Sequence, residues 1–382
     1  MPDTAKRRVA LFLDGTWNTS DDNTNVWRLK SLCAQLPEQK IYYSAGVGTQ
    51  KGEKISGGAF GIGINEEVIA AYEWLVENYQ SEDQIFIFGF SRGAFTARSL
   101  AGFVSKCGLL KPGSPLSLNQ LYERYRKGTA TSILALKKTD DHLVLEDRWL
   151  KKYSQPVPIW FQGVWDTVGE LGIPMPFLPK MSRHDFDFLE TDLRINDTHA
   201  YHALAIDEHR EAFKPTLWTK VTPIDEPTAA PRDFPHVEQR WFVGAHSNVG
   251  GGYENDLLAQ TPLKWLMSKA SFHGLQFKDT VDIDDGANQC PIRDSLAEMG
   301  HGLYEALTKC YYRPIGAQPI YSERGHLDTI NESIDASVFA RWKVDDEYRP
   351  ENLKEWATRC NVDPATLSGP VKATDPTATV VD

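Results

Sequence analysis

Residues 89–93, Gly89-Phe90-Ser91-Arg92-Gly93, set a serine between two glycines. The preceding stretch, 84–88 (QIFIF), is an apolar run of strand type, and 94–101 (AFTARSLA) opens like a helix. A serine on such a tight strand-to-helix turn carries an exposed hydroxyl, the arrangement of a nucleophile elbow. Gly89 and Gly93 leave room where neighbouring Cβ atoms would collide. The helix start adds outward-facing N–H groups and a positive partial charge. The Arg92 N–H is therefore the first candidate for an oxyanion donor. Ala94, Ala97 and Ala101 let the helix lie close to the sheet.

A hydroxyl is a weak nucleophile until a base takes its proton. Ten histidines are present, and His246 is the best placed. It follows the apolar Trp241-Phe242-Val243 and precedes a loop rich in glycine, Ser247 to Gly252. His202 and His209 fall in a stretch of helical character (HALAIDEHR) and read as packing or surface residues. The third group must orient the imidazole. Asp166, at the end of the apolar run 159–165, fits that role, with Asp207 as the rival acid. The chain order Ser91, Asp166, His246 is the Ser…Asp…His order of α/β-hydrolases.

Asp14-Gly15-Thr16 follows the first apolar run. One reading makes it the second oxyanion arm, with the Gly15 or Thr16 N–H as donor and Asp14 as a brace. The other is a plain turn with an Asx cap. Phosphatases that begin with strand–DxDGT need an acid at position 12, which here is Phe12. The glycines at 57–63 lack GxGxxG spacing and a preceding strand, so they read as a loop near the site and not as a NAD cradle. Residues 169–188 hold three prolines with Ile173, Met175, Phe177 and Leu178. They read either as an apolar lid or acyl-chain wall, or as a proline-stiffened loop on the core.

These groups need a scaffold that gathers them. The runs at 9–13, 41–43, 85–88, 159–165 and 241–243 are apolar on both faces, as strands of a covered parallel sheet are. Between them lie helical patterns. In 64–79, Ile64, Val68, Tyr72, Leu75 and Tyr79 recur at helical spacing, with Asn65 as a cap. Thr261-Pro262 reads as a cap plus a first helical proline, with Gly274 as the stop. The expected fold is a doubly wound, mostly parallel α/β sheet with helices on both faces and inserted loops or a cap. Ligands in such sheets bind beyond the carboxyl ends of the strands, where every polar cluster above sits. Residues 1–275 form the expected core. Residues 276–365 are an extension packed on it or capping it, and 366–382 a disordered tail.

The 382 residues carry a net charge of −11. That excess opposes nucleic acid or an anionic bilayer as a default partner, although brief contact with a membrane surface during turnover does not require tight binding. Five cysteines without a CxxC pair argue against a zinc knuckle or a dithiol redox site and fit reduced thiols. No metal or organic cofactor is expected. No apolar run approaches the ~20 residues of a membrane helix. The N-terminal apolar run meets an acid too early for a signal-peptide core. Synthesis in the cytoplasm, with export independent of such a signal left open, is the expectation.

The segments LFLDGTWN (11–18), GFSRGAFTAR (89–98), GVWDTVG (163–169), HALAIDEHR (202–210) and GAHSNVGGGY (244–253) together resemble the uncharacterised alpha/beta hydrolase domain family that includes the catalytic domains of type VI secretion phospholipase effectors. The resemblance covers roughly residues 8–272. It implies an α/β-hydrolase core with Ser91 as nucleophile, Asp166 as acid and His246 as base, and esterase chemistry, on phospholipids in the effector branch. The functional expectation is a serine hydrolase of carboxylic esters of lipase or phospholipase type. A cytoplasmic deacylase of small esters or polysaccharide is one alternative. A non-catalytic scaffold that keeps the fold is the other.

Overall fold

The structure, a computed structural model, describes residues 6–15, 22–46, 57–139, 143–168, 193, 197–219, 233–295, 310–316, 320–322, 325–327 and 329–380. Its centre is a nine-stranded sheet. Seven strands are parallel: β1 (Arg8–Leu13), β2 (Gln39–Ser44), β3 (Gln84–Phe90), β4 (Ile159–Trp165), β5 (Asp197–Ala205), β6 (Val237–Phe242) and β7 (Glu332–Ile334). Two short antiparallel strands, β8 (Val371–Lys372) and β9 (Asp375–Thr379), finish one edge. The spatial order is β2-β1-β3-β4-β5-β6-β7-β8-β9. This is the mostly parallel α/β architecture expected.

Period-two alternation explains why both faces are covered. From β1 and β3, Val9, Leu11, Leu13, Ile85 and Ile87 face one side. There they meet Val68, Tyr72 and Leu75 of helix α2 (Gly57–Asn78) and Ala94, Ala97 and Leu100 of helix α3 (Arg92–Cys107). Ala10, Phe12, Phe86 and Phe88 face the other side. They pack with Val26 and Leu29 of helix α1 (Asn25–Leu32) and with Leu263, Leu266 and Ala270 of the helix Gln260–Phe272. A third cluster joins Trp241 and Ile334 to Phe339, Leu353 and Trp356 from beyond residue 335. No helix among the described residues is long and apolar enough to cross a membrane.

Several sequence expectations need correction. Residues 57–63 are the first turns of α2, not a loop. Asn65 thus lies inside the helix, and its Oδ1 accepts from the Tyr122 hydroxyl at 3.1 Å instead of capping. The helix at 260–272 is capped by Ala259, which puts Pro262 at its third position. That is still harmless, because the first helical N–H groups have no i−4 acceptor to lose. The stretch HALA belongs to strand β5. A strand buried on both faces carries no polar alternation to reveal it. Residues 371–372 and 375–379 are strands rather than part of a disordered tail, and β7 extends the sheet from within the expected extension. The lid region 169–188 lies outside the described residues.

Register brings the functional ends together. Leu13 pairs with Gly89, Phe90 with Trp165, Trp165 with Ala203, and Ala205 with Phe242. Asp14, Ser91, Asp166, Asp207 and Gly244 therefore leave the sheet along one edge. The crossing of α3 over β1 is tight. A Cβ on Gly93 would stand 2.2 Å from the Leu13 carbonyl oxygen and 2.5 Å from that of Asp14. Both obstacles are backbone, so the strand itself must move. Gly93→Ala is expected to lower the unfolding free energy by about 3 kcal/mol in a denaturant titration. Gly369→Ala, with open space around its Cβ, should stay within about 0.5 kcal/mol of the parent. Equal effects at the two positions would contradict the packing described.

Candidate active site

Strand β3 ends at Phe90, and α3 starts at Arg92, leaving Ser91 alone on the turn. Its φ of 57° and ψ of −120° are unusual for a residue with a side chain. Asp166, the first residue after β4, also has a positive φ, 37°. Left-handed conformations cost L-residues about 1–3 kcal/mol and collect where function fixes them. The Ser91 N–H donates to the Trp165 carbonyl at 3.1 Å, which ties the turn to the neighbouring strand end.

His246 opens a short helix, His246–Gly250, just past β6. Asn248 Oδ1 accepts from the Ala245 N–H at 3.0 Å and closes the helix start. The imidazole spans the gap between the two strand-end residues. His246 Nε2 lies 2.8 Å from Ser91 Oγ, and Nδ1 lies 2.6 Å from Asp166 Oδ2. With the carboxylate accepting, Nδ1 carries the proton and Nε2 is left to accept from the serine hydroxyl. Phe90 and Phe213 pack on the ring at centroid distances of 4.7 and 5.1 Å. Burial lowers the His246 pKa below the ordinary imidazole value of 6.5, and the Asp166 hydrogen bond and charge only partly oppose this. The lowered value favours the uncharged form of the ring.

Asp166 has no solvent exposure. Burial alone would push its carboxyl up. Arg313 and His246 outweigh that and hold it far below the usual carboxylate range. Arg313 grips it with both ends of its fork, Nη1 to Oδ1 at 2.6 Å and Nη2 to Oδ2 at 3.1 Å. The Ala205 N–H donates to Oδ1 at 3.0 Å. Sequence reasoning missed Arg313. It sits in a stretch without periodicity (KCYYRPIG), and no local pattern announces its partner.

The remaining expectations sort clearly. Asp207 does not meet the imidazole: its Oδ2 accepts from the Gly244 N–H at 2.7 Å and from the Tyr348 hydroxyl at 3.3 Å. Burial raises its pKa to about 6, against those hydrogen bonds. It braces the turn before His246. His202 lies behind the site, its Nε2 accepting from the Thr167 N–H at 3.0 Å. Asp14 is buried and accepts from Thr24 Oγ1 at 2.5 Å and the Tyr43 hydroxyl at 3.2 Å. It also accepts the Gly15 N–H at 2.8 Å. The Gly15 amide is thus engaged by the carboxylate beside it, which argues against it as the second oxyanion donor. Thr16, Ile173, Met175, Phe177 and Leu178 lie outside the described residues.

A cavity of about 210 Å³ opens over Ser91 and His246. Arg92, Arg210, Phe213 and Tyr253 are among its walls. The Arg210 guanidinium stacks 3.5 Å from the Phe213 ring centroid. Buried Glu208 holds it through Nε at 2.7 Å and Nη2 at 2.8 Å. The same carboxylate accepts the His246 N–H at 3.2 Å and the Ser295 hydroxyl at 3.0 Å. Among the described residues, no cluster of three or more His, Cys, Asp or Glu side chains could hold a metal ion.

Residues 7–269 match the model of the family described as T6SS, phospholipase effector Tle1-like, catalytic domain. Uncharacterized protein YEL023C of Saccharomyces cerevisiae is 27% identical over 237 residues. That match spans 56% of this chain and 33% of the yeast protein, about a third of its length. Among solved structures, an uncharacterized protein from Pseudomonas aeruginosa aligns with a TM-score of 0.46 at 16% identity, covering 80% of this chain and 51% of that one. The Tle1 effector bound to the VgrG spike of the type 6 secretion system aligns with a TM-score of 0.31 at 18% identity, covering 65% of this chain and 52% of that one.

Asp166→Asn removes the charge that favours the imidazolium and leaves at most a weaker, neutral acceptor. The His246 pKa, followed by NMR of the labelled ring, should then drop by about 1 unit or more from its already depressed value. A rise would contradict the contact described.

Proposed function

The chain belongs to the family of Tle1-like phospholipase effector catalytic domains of type VI secretion, and from that premise we propose that it is a serine hydrolase of carboxylic esters with Ser91, His246 and Asp166 as its triad. The observation that carries the proposal is the unbroken chain of contacts from Ser91 Oγ through His246 to Asp166. Ser91 Oγ attacks the ester carbonyl as its proton passes to His246 Nε2. Asp166 holds the other ring nitrogen and stabilises the imidazolium. The tetrahedral oxyanion is met by the Arg92 N–H, at the first position of α3, where N–H groups point out of the helix. When the intermediate collapses, the C–O bond breaks and the departing alcohol takes the proton from His246. Water, deprotonated by the same nitrogen, then attacks the acyl-enzyme and releases the acid and free Ser91.

Lipid is the substrate class that the family membership favours. Arg92 and Arg210 are among the residues that line the cavity beside the nucleophile, Arg210 with its guanidinium paired to Glu208. A phosphate lying a few bonds from the scissile ester, as in a phospholipid, would meet them. Hydrolysis of short esters is a second reading. The described walls enclose only about 210 Å³, below the roughly 300–1,000 Å³ of common ligand pockets.

Ser91→Ala and His246→Ala should each lower kcat by roughly 10⁴–10⁶-fold without unfolding the protein. Only the parent should be labelled at Ser91 by a fluorophosphonate. A parent that resists labelling would make the chain a scaffold rather than an enzyme. Fatty-acid release from phosphatidylglycerol vesicles should exceed release from diacylglycerol of the same acyl chains. Arg210→Gln should lose roughly tenfold more on the phospholipid than on the neutral lipid, the scale of one charge-assisted contact. A panel of esters from acetyl to palmitoyl decides between the two readings: rates that peak at acetyl favour the short-ester enzyme.

A further inference from the structure

Arg313 lies outside the part of the chain that matches the family catalytic domain, which ends at residue 269. Yet its side chain is fully buried directly behind the proposed triad acid. Besides gripping Asp166, its Nη1 donates to the Ala205 carbonyl at 2.8 Å and its Nη2 to the Phe213 carbonyl at 2.5 Å. Its own backbone is fixed in turn. Asn352 Nδ2 donates to the Arg313 carbonyl at 3.1 Å and to the Ile206 carbonyl at 2.9 Å. So a residue from one late segment is locked by a second late segment against the end of β5. Four hydrogen bonds in a planar fork leave the guanidinium one orientation.

We propose that Arg313 is a positioning residue of the hydrolase, supplied by the segment beyond the family match, and that it keeps the Asp166–His246 pair poised as carboxylate and neutral base. The inference builds on the triad reading above. Before reaction, Asp166 and Arg313 cancel and the imidazole is neutral. Once the imidazole takes the serine proton, the trio carries one positive charge. Arg313 therefore opposes that protonation, while Asp166 favours it. The fork also denies Asp166 any other carboxyl orientation, so Oδ2 stays aimed at Nδ1. The consequence is a base that remains neutral at a lower pH than a bare Asp–His pair would allow.

Other charged or titratable groups face this trio. Glu208 and Arg210 act on His246 from the segment after β5, and they are paired with each other. His202 on β5 and Asp207 after it lie behind Asp166 and Arg313. Burial lowers the His202 pKa to about 3, so it stays uncharged in the working range. None of these can replace a cation in contact with both Asp166 oxygens.

The test measures the rate at which a fluorophosphonate labels Ser91 as a function of pH, which needs no knowledge of the substrate. Arg313→Gln keeps a polar group but removes the charge. Its acidic limb should move up by about 1 unit or more. Arg313→Lys keeps the charge but loses the fork. Its limb should stay within about 0.3 units of the parent, and its plateau rate should fall roughly tenfold, the scale of a displaced orienting group. An unmoved limb in folded Arg313→Gln overturns the proposal. If that variant does not fold, Arg313→Lys decides alone: an unchanged plateau, or failure of this variant to fold too, overturns the proposal by leaving Arg313 a purely structural role. Failure of the triad reading would look different, because the parent itself would then not label at Ser91.

Discussion

Asp166 holds a negative charge where no water reaches it, and the surrounding architecture answers to that. An unpaired carboxylate in such a place would take up a proton and stop orienting an imidazole. Here four donors converge on it: two from Arg313, one from the Ala205 amide and one from His246. They come from three places far from it in the chain, so the charge is stable only once β4, β5, β6 and the segment near residue 313 have assembled. The site thus forms as a product of the complete sheet.

The same assembly fixes the two unusual backbone conformations. Ser91 and Asp166 occupy successive strand ends, both at positive φ. Phe90 pairs with Trp165 just before them, and the Ser91 amide is tied to the Trp165 carbonyl. Neither conformation would persist in a free peptide. The paired strands on both sides impose them, and the side chains of Ser91 and Asp166 meet the imidazole as a result. Phe90 and Phe213 pack against the imidazole, and its burial lowers its proton affinity.

Much of this was legible in the sequence where a short signal coincides with a strand end. GxSxG between an apolar run and a small-residue helix marks Ser91. Asp166 and His246 each follow an apolar run in the expected order. What escaped reading has physical causes. β6 contains Glu238, Gln239 and Arg240 but is wholly buried. Glu238 and Arg240 stand two apart on one face and pair at 2.8 Å, so charge does not mean exposure there. β5 is rich in alanine and histidine and covered on both sides, which imitates a helix. The glycines of α2 argue for a loop by intrinsic preference, yet they are helical within the fold. Arg313 had no local signature, because its meaning lies in a carboxylate 147 positions earlier.

The two strands that finish the sheet have a consequence of another kind. A parallel sheet left bare at its rim offers a row of unsatisfied amides and carbonyls to any passing strand. Here the rim is β9, five residues long, with a proline in second place and side chains alternately exposed and half covered. It follows a two-residue strand and turns back on itself with a shifted register. Such a border is short, irregular and short of donors. It gives a neighbouring copy little to extend, and so works against fibrous self-association on that side of the molecule.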